Sequence, residues 1–172
     1  MLKREYLAHF IDDSFGGTTN YVRLGDDLEE YNIELNPDIE VKKNILGART
    51  VKHNGYDVQG EIEPFYATIG SALFTKLKAI INGRLTGDDC KTTVVDVLLS
   101  DDSTVVEAHK EDVYVVPTSY GGDTSGVQIP FTIHYIGNRV AGTWSLANST
   151  FTPSSGTSGG GTSGGGGGGG TS

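Results

Sequence analysis

"VQIPFTIHY", residues 127–135, places an apolar residue at every second position, and that period sets the class of the fold. Side chains two apart share one face of a strand, so Val127, Ile129, Phe131, Ile133 and Tyr135 point the same way. Burying each is worth about 1.5–3 kcal/mol, which predicts a strand central to the core. Pro130 has no N–H to give a ladder, so the strand must bulge there or face an open neighbour.

The residues before it, "SYGGDTSG" (119–126), are rich in glycine and hydroxyl side chains. A phosphate cradle would need a lysine after the glycines and a helix next, and here a strand follows. The stretch is read as a turn between strands, with Gly121 and Gly122 serving conformation.

Working outward, "TTVVDVLL", "DVYVVPTSY" and "VAGTWSLANSTF" are short, β-branched or aromatic, and separated by Asp-Asp, Gly-Gly and Gly-Asn punctuation. Upstream, Tyr31, Ile33, Leu35, Pro37, Ile39 and Val41 alternate with polar residues, which predicts a strand with one face buried. Pro37 makes it an edge strand or breaks it at Asn36-Pro37. The polar segment to Tyr56, with Gly47 and Asn54-Gly55, reads as a long hairpin or protruding loop, Asn54-Gly55 being a favoured tight-turn pair. Tyr56, Val58, Ile62 and Tyr66 continue as a second one-faced strand. The period then changes: Ile69, Leu73, Leu77, Ile80 and Ile81 fall at helical spacing, with Ser71 as cap and Gly83 at the stop. The pattern is mostly β with one helix.

Length 172 fits one domain. Residues 153–172 are almost wholly Gly, Ser and Thr, and ordering them costs about 1–2 kcal/mol each with no apolar burial in return, so a disordered tether is expected. Thirteen Lys plus Arg against 22 Asp plus Glu give a net charge of −9, which excludes tight DNA wrapping. No run is long and apolar enough for a signal peptide or a membrane span, so synthesis in the cytosol is expected. The single cysteine, Cys90, allows no intramolecular disulfide and reads as a packing residue.

The acidic, histidine and aromatic residues are the candidates for chemistry. The pairs Asp12-Asp13, Asp26-Asp27, Asp88-Asp89 and Asp101-Asp102 lack the spacing of a calcium loop and read as solvated turns. Glu61 and Glu63 share a strand face, but nothing sets them across a cleft as a hydrolase would require. His9, His53, His109 and His134 fall in no zinc motif. Trp144 and the eight tyrosines read as core or interface aromatics, with a sugar platform as the rival. No catalytic residue, metal or cofactor is expected.

Three stretches carry a resemblance: "NYVRLGDDLEEYNIELNPDIEVKKNILG" (20–47), "GEIEPFYA" (60–67) leading into the helix, and "VVPTSYGGDTSGVQIPFTIHYIG" (115–137) with the later "FTP". In wording and order the chain resembles the major tail proteins, or tail tube proteins, of long-tailed siphovirus-type bacteriophages and prophages of Gram-positive bacteria. The resemblance implies two packed β-sheets, sandwich- or barrel-like, with one flanking helix. It places a β-sandwich domain over 20–152, after an N-terminal arm at 1–19. It further implies a structural virion protein, assembled in the host cytoplasm, whose hexameric rings stack into a tube around the tape-measure protein. Duplex DNA would pass through the lumen without specific binding, and an acidic wall suits a polymer charged about every 1.7 Å. Residues 36–55 would be the inter-ring loop, with Lys42, Lys43, Arg49 and Lys52 meeting acids of the next ring. The rival reading is a monomeric β-sandwich module that binds a cell-wall or carbohydrate ligand.

Overall fold

A computed structural model describes residues 1–25, 28 and 30–154. In chain order the strands are β1 (Leu7–Asp12), β2 (Tyr21–Leu24), β3 (Ile33–Glu34), β4 (Pro37–Lys43), β5 (Arg49–Tyr56), β6 (Gln59–Ile62), β7 (Lys91–Leu99), β8 (Val105–Pro117), β9 (Gly121–Asp123), β10 (Gly126–Gln128), β11 (Phe131–Tyr135), β12 (Val140–Ser145) and β13 (Thr150–Pro153). One α-helix, α1 (Ala72–Gly83), lies between β6 and β7.

Nine strands form one antiparallel sheet along the path β2-β1-β7-β8-β11-β6-β3, with β12 and β13 branching from it. The branch point is β8. One of its edges pairs with β7, and the other is shared between β12, at residues 108–110, and β11, at residues 113–117. The curled sheet therefore has two covered faces. On one, Ile11, Val94, Val113, Phe131 and Ile133 pack with Leu73 and Leu77 of α1. On the other, Phe10, Val95 and Val97 pack with Ala108 and Trp144. This double covering explains why β7 reads as a nearly unbroken apolar run. The fold is mainly β with a flanking helix, as expected, but its layers come from one branched, curled sheet.

β11 sits between β8 and β6, where Phe131 and Ile133 are fully buried. Pro130 ends the main-sheet strand, and Val127 falls in the separate β9–β10 ribbon, where it is half exposed instead of joining the core face. The helix starts as its sequence directs: Ser71 Oγ accepts from Phe74 N at 3.3 Å, and Leu73, Leu77 and Ile80 are buried. It takes in Gly83 and ends at Arg84, whose φ of 50° is left-handed. Ile69 lies ahead of the helix and is exposed, so it does not belong to the apolar stripe.

Other expectations need correction. The stretch read as an N-terminal arm holds β1, an inner strand between β2 and β7, because Ala8, Phe10 and Ile11 supply apolar surface to both faces. The alternation over 31–42 breaks at Asn36, φ 41°, into β3 and β4, the second of the two readings Pro37 allowed. β4 buries no face: it pairs with β5 in a sheet of two strands. Asn54-Gly55 is not the hairpin turn; it lies in β5 beside a bulge opposite Asp38 and Ile39, and the chain reverses at residues 44–48. The expected tether after residue 154 lies outside the described residues.

Candidate assembly surfaces

The β4–β5 hairpin is built to stand alone. Asn44 Oδ1 accepts from Leu46 N at 3.0 Å and from Ala48 N at 2.9 Å, Gly47 N reaches Asn44 O at 3.0 Å, and Gly47 takes φ 82°. These bonds fix a tip that holds Ile45 and Leu46 in water at 102% and 88% exposure. Cross-strand partners share a face. Ile39, Val41 and Lys43 oppose His53, Val51 and Arg49 on one face, while Glu40 and Lys42 oppose Lys52 and Thr50 on the other. The four bases singled out in the sequence thus stand together on this hairpin. Lys42 pairs with Glu40 at 3.0 Å, whereas Lys43 and Arg49 are like charges placed opposite one another. Exposed Ile39, Val41 and Val51 lie beside them. An isolated two-stranded hairpin is marginal in water, and contiguous apolar surface on it marks an interaction site.

The main sheet offers β2 at one end of its path and β3 at the other. An edge strand carries unpaired N–H and C=O groups that template pairing with another chain. Gly121 and Gly122 start the β9–β10 ribbon and differ in role. A Cβ on Gly122 would collide with the Gly126 backbone opposite, whereas one on Gly121 would meet open space.

The remaining candidates serve the fold or sit in solvent. Asp12 accepts from Ser14 N at 3.0 Å and Asn20 N at 3.1 Å, and Asp13 accepts from Asn20 Nδ2 at 3.0 Å, so this pair closes the β1–β2 turn. Asp101 holds its own turn through Ser103 N and Thr104 N, and the backbone bond from Ser103 leads in lowering its pKa. Asp88 and Asp89 are exposed after α1, and Asp26-Asp27 lies outside the described residues. Glu61 and Glu63 border a shallow exposed cleft of about 370 Å³ with Glu30 and Glu34. No group of three or more His, Cys, Asp or Glu side chains among the described residues could hold a metal ion. Cys90 is buried and free; its Sγ donates to Leu85 O at 3.4 Å, and burial raises its pKa. Trp144 packs on Phe10 and Tyr21, at centroid distances of 4.4 and 5.4 Å, so it forms no exposed sugar platform. No helix of the described residues is long and apolar enough to cross a membrane.

This architecture is found in known tubes. The chain matches a chain of the SPP1 tail tube, solved by solid-state NMR and cryo-EM, with a TM-score of 0.60 at 12% identity, over 82% of this chain and 78% of that one. It shares that fold. It also matches the sheath/tube terminator of an extracellular contractile injection system, with a TM-score of 0.54 at 9% identity, over 83% of this chain and 97% of that one. No family model matches the sequence. No curated protein matches it either.

One buried polar cluster joins residues far apart in sequence. His9 Nδ1 lies 2.7 Å from Asp96 Oδ1, Arg139 donates to Asp96 Oδ2 at 3.1 Å, and Glu111 accepts from Gly137 N at 2.7 Å. His9, Asp96 and Glu111 are all buried, and these contacts stand in for lost water at the atoms named, while His9 Nε2 is buried with no hydrogen-bond partner. Nearby, the Tyr31 and Tyr135 hydroxyls meet at 3.0 Å, and burial raises both pKa values well above the ordinary tyrosine range. The available signal was a lone polar residue inside each apolar run, "LAHFID" and "VVDVLL".

Proposed function

We propose that the protein is the subunit of a phage tail tube. Six copies join edge to edge into a ring, β2 of one against β3 of the next. Rings then stack through the β4–β5 hairpin around the tape-measure protein, and the finished tube conducts the genome. The observation that carries this reading is the hairpin: a separate two-stranded sheet, exposed on both faces, with apolar residues and opposed bases that find no cover within the subunit. Two different edges on one molecule favour head-to-tail contacts, and these close into rings or propagate as filaments. The likeness in fold to the SPP1 tail tube chain points the same way. In this arrangement Lys43, Arg49 and Lys52 meet acids of the neighbouring ring, and the net charge of −9 keeps DNA from adhering to the wall.

Negative-stain electron microscopy of the purified protein over a concentration series, paired with light-scattering mass, tests the proposal. Rings or hollow tubes that grow with concentration are expected. A monomer at every concentration, with or without other tail proteins, would overturn it.

A further inference from the structure

A second apolar surface lies at the end of the helix. The end of α1 and the following turn leave a cleft of about 500 Å³ against β8, lined by Ile80, Ile81, Leu85, Cys90, Tyr114 and Val116. Its shape is set in advance. Leu85 N donates to Ile80 O at 3.0 Å and Arg84 N to Ile81 O at 3.3 Å, which folds Leu85 back over the helix end. Leu85 and Val116 are left exposed at the mouth. Asp88 and Asp89 stand beside it, exposed in the 3-10 turn Gly87–Cys90; of the nearby cations, Lys91 is paired with Asp112 at 3.2 Å and Arg84 lines the cleft. No salt bridge is formed by Asp88, Asp89, Lys43 or Arg49 within the subunit among the described residues.

We propose that this cleft receives the Ile45–Leu46 tip of the hairpin from a second copy of the chain, with Lys43 and Arg49 set against Asp88 and Asp89. The inference rests on the self-assembly reading and names the receiving surface within it. Both parts are formed before they meet, so little ordering opposes the contact. A rigid tip carrying two exposed apolar residues and flanked by bases matches an apolar cleft flanked by acids. Donor and acceptor are different surfaces of one molecule, so each copy can give and receive, and the contact repeats without end.

The test joins a cross-link to a charge exchange in the full chain. In a Cys90→Ser background, Leu46→Cys and Val116→Cys are oxidised after assembly, and the bonded peptides are identified by mass spectrometry. An intermolecular 46–116 disulfide is expected in assembled protein and not at concentrations where the protein is monomeric. Lys43→Glu with Arg49→Glu should raise the concentration needed for tubes by about tenfold or more, and adding Asp88→Lys with Asp89→Lys should restore it. Tubes of the 46/116 double-cysteine variant that give only 46–46 or other cross-links, or a charge exchange that rescues nothing, would overturn the docking site while leaving the tube reading standing. Failure of wild-type protein to assemble would overturn both.

Discussion

A side chain on Gly122 would run into the backbone of Gly126 across the β9–β10 ribbon, whereas Gly121, its neighbour in the same strand, looks onto open space. Gly122→Val should therefore cost about 1–3 kcal/mol of stability in a denaturant titration, in the range of other over-packed sites. Gly121→Val should stay within about 0.5 kcal/mol. If the open side of Gly121 is where a neighbour's backbone approaches, its valine variant will melt normally yet yield fewer tubes. Tyr31 and Tyr135 invite a test by pH. Their folded pKa values are raised by burial above the unfolded value of about 10, so the stability they confer is intact below that pH and is lost as pH climbs past it. Melting temperature should drop above pH about 10, and less steeply in Tyr31→Phe/Tyr135→Phe. Equal slopes would mean that neither hydroxyl is held neutral by the fold.

Among the elements, the β4–β5 hairpin should be separable from the body. Pro37 and Tyr56 are cross-strand partners at its base, so a short Gly-Ser link can replace residues 38–55 at little entropic cost. The shortened protein should melt like the parent and remain monomeric at concentrations where the parent is expected to form tubes; a large drop in melting temperature would show that the hairpin supports the core. Much of the element pattern could be read directly from side chains. Ser71 and the Leu73-Leu77-Ile80 stripe announce α1, and Asn36-Pro37 marks the break between β3 and β4. β1 was missed because its buried residues face both ways, so its six residues show no period of two. The first half of β8 was missed because Glu107, His109 and Glu111 interrupt its apolar residues. The hairpin's exposure could not be read at all: alternation tells which residues share a face, not whether anything covers it. The His9–Asp96 contact was hidden for a different reason, since its partners are 87 residues apart.

At the scale of the whole molecule, a net charge of −9 sets copies against one another, while the proposed hairpin contact would draw them together over a short range. The Debye length shrinks from about 30 Å at 0.01 M salt to about 8 Å at physiological strength, so repulsion between whole subunits is screened first. Light-scattering mass should rise as salt is raised from about 0.01 to 0.15 M and hold at higher salt, where burial of apolar residues sustains the contact. Tubes that are most stable at the lowest salt would show that attraction between charges dominates instead. The path of the sheet has a bearing on when such contacts can begin. β1 waits for β7, and β11 and β12 must still reach β8, so the sheet closes only late in translation. The hairpin leaves the ribosome long before that. A nascent chain thus exposes its adhesive tip while the surfaces of its own body are still unmade. If the proposed docking holds, a nascent chain cannot receive a tip until α1 and β8 are in place, so joining follows the folding of the body.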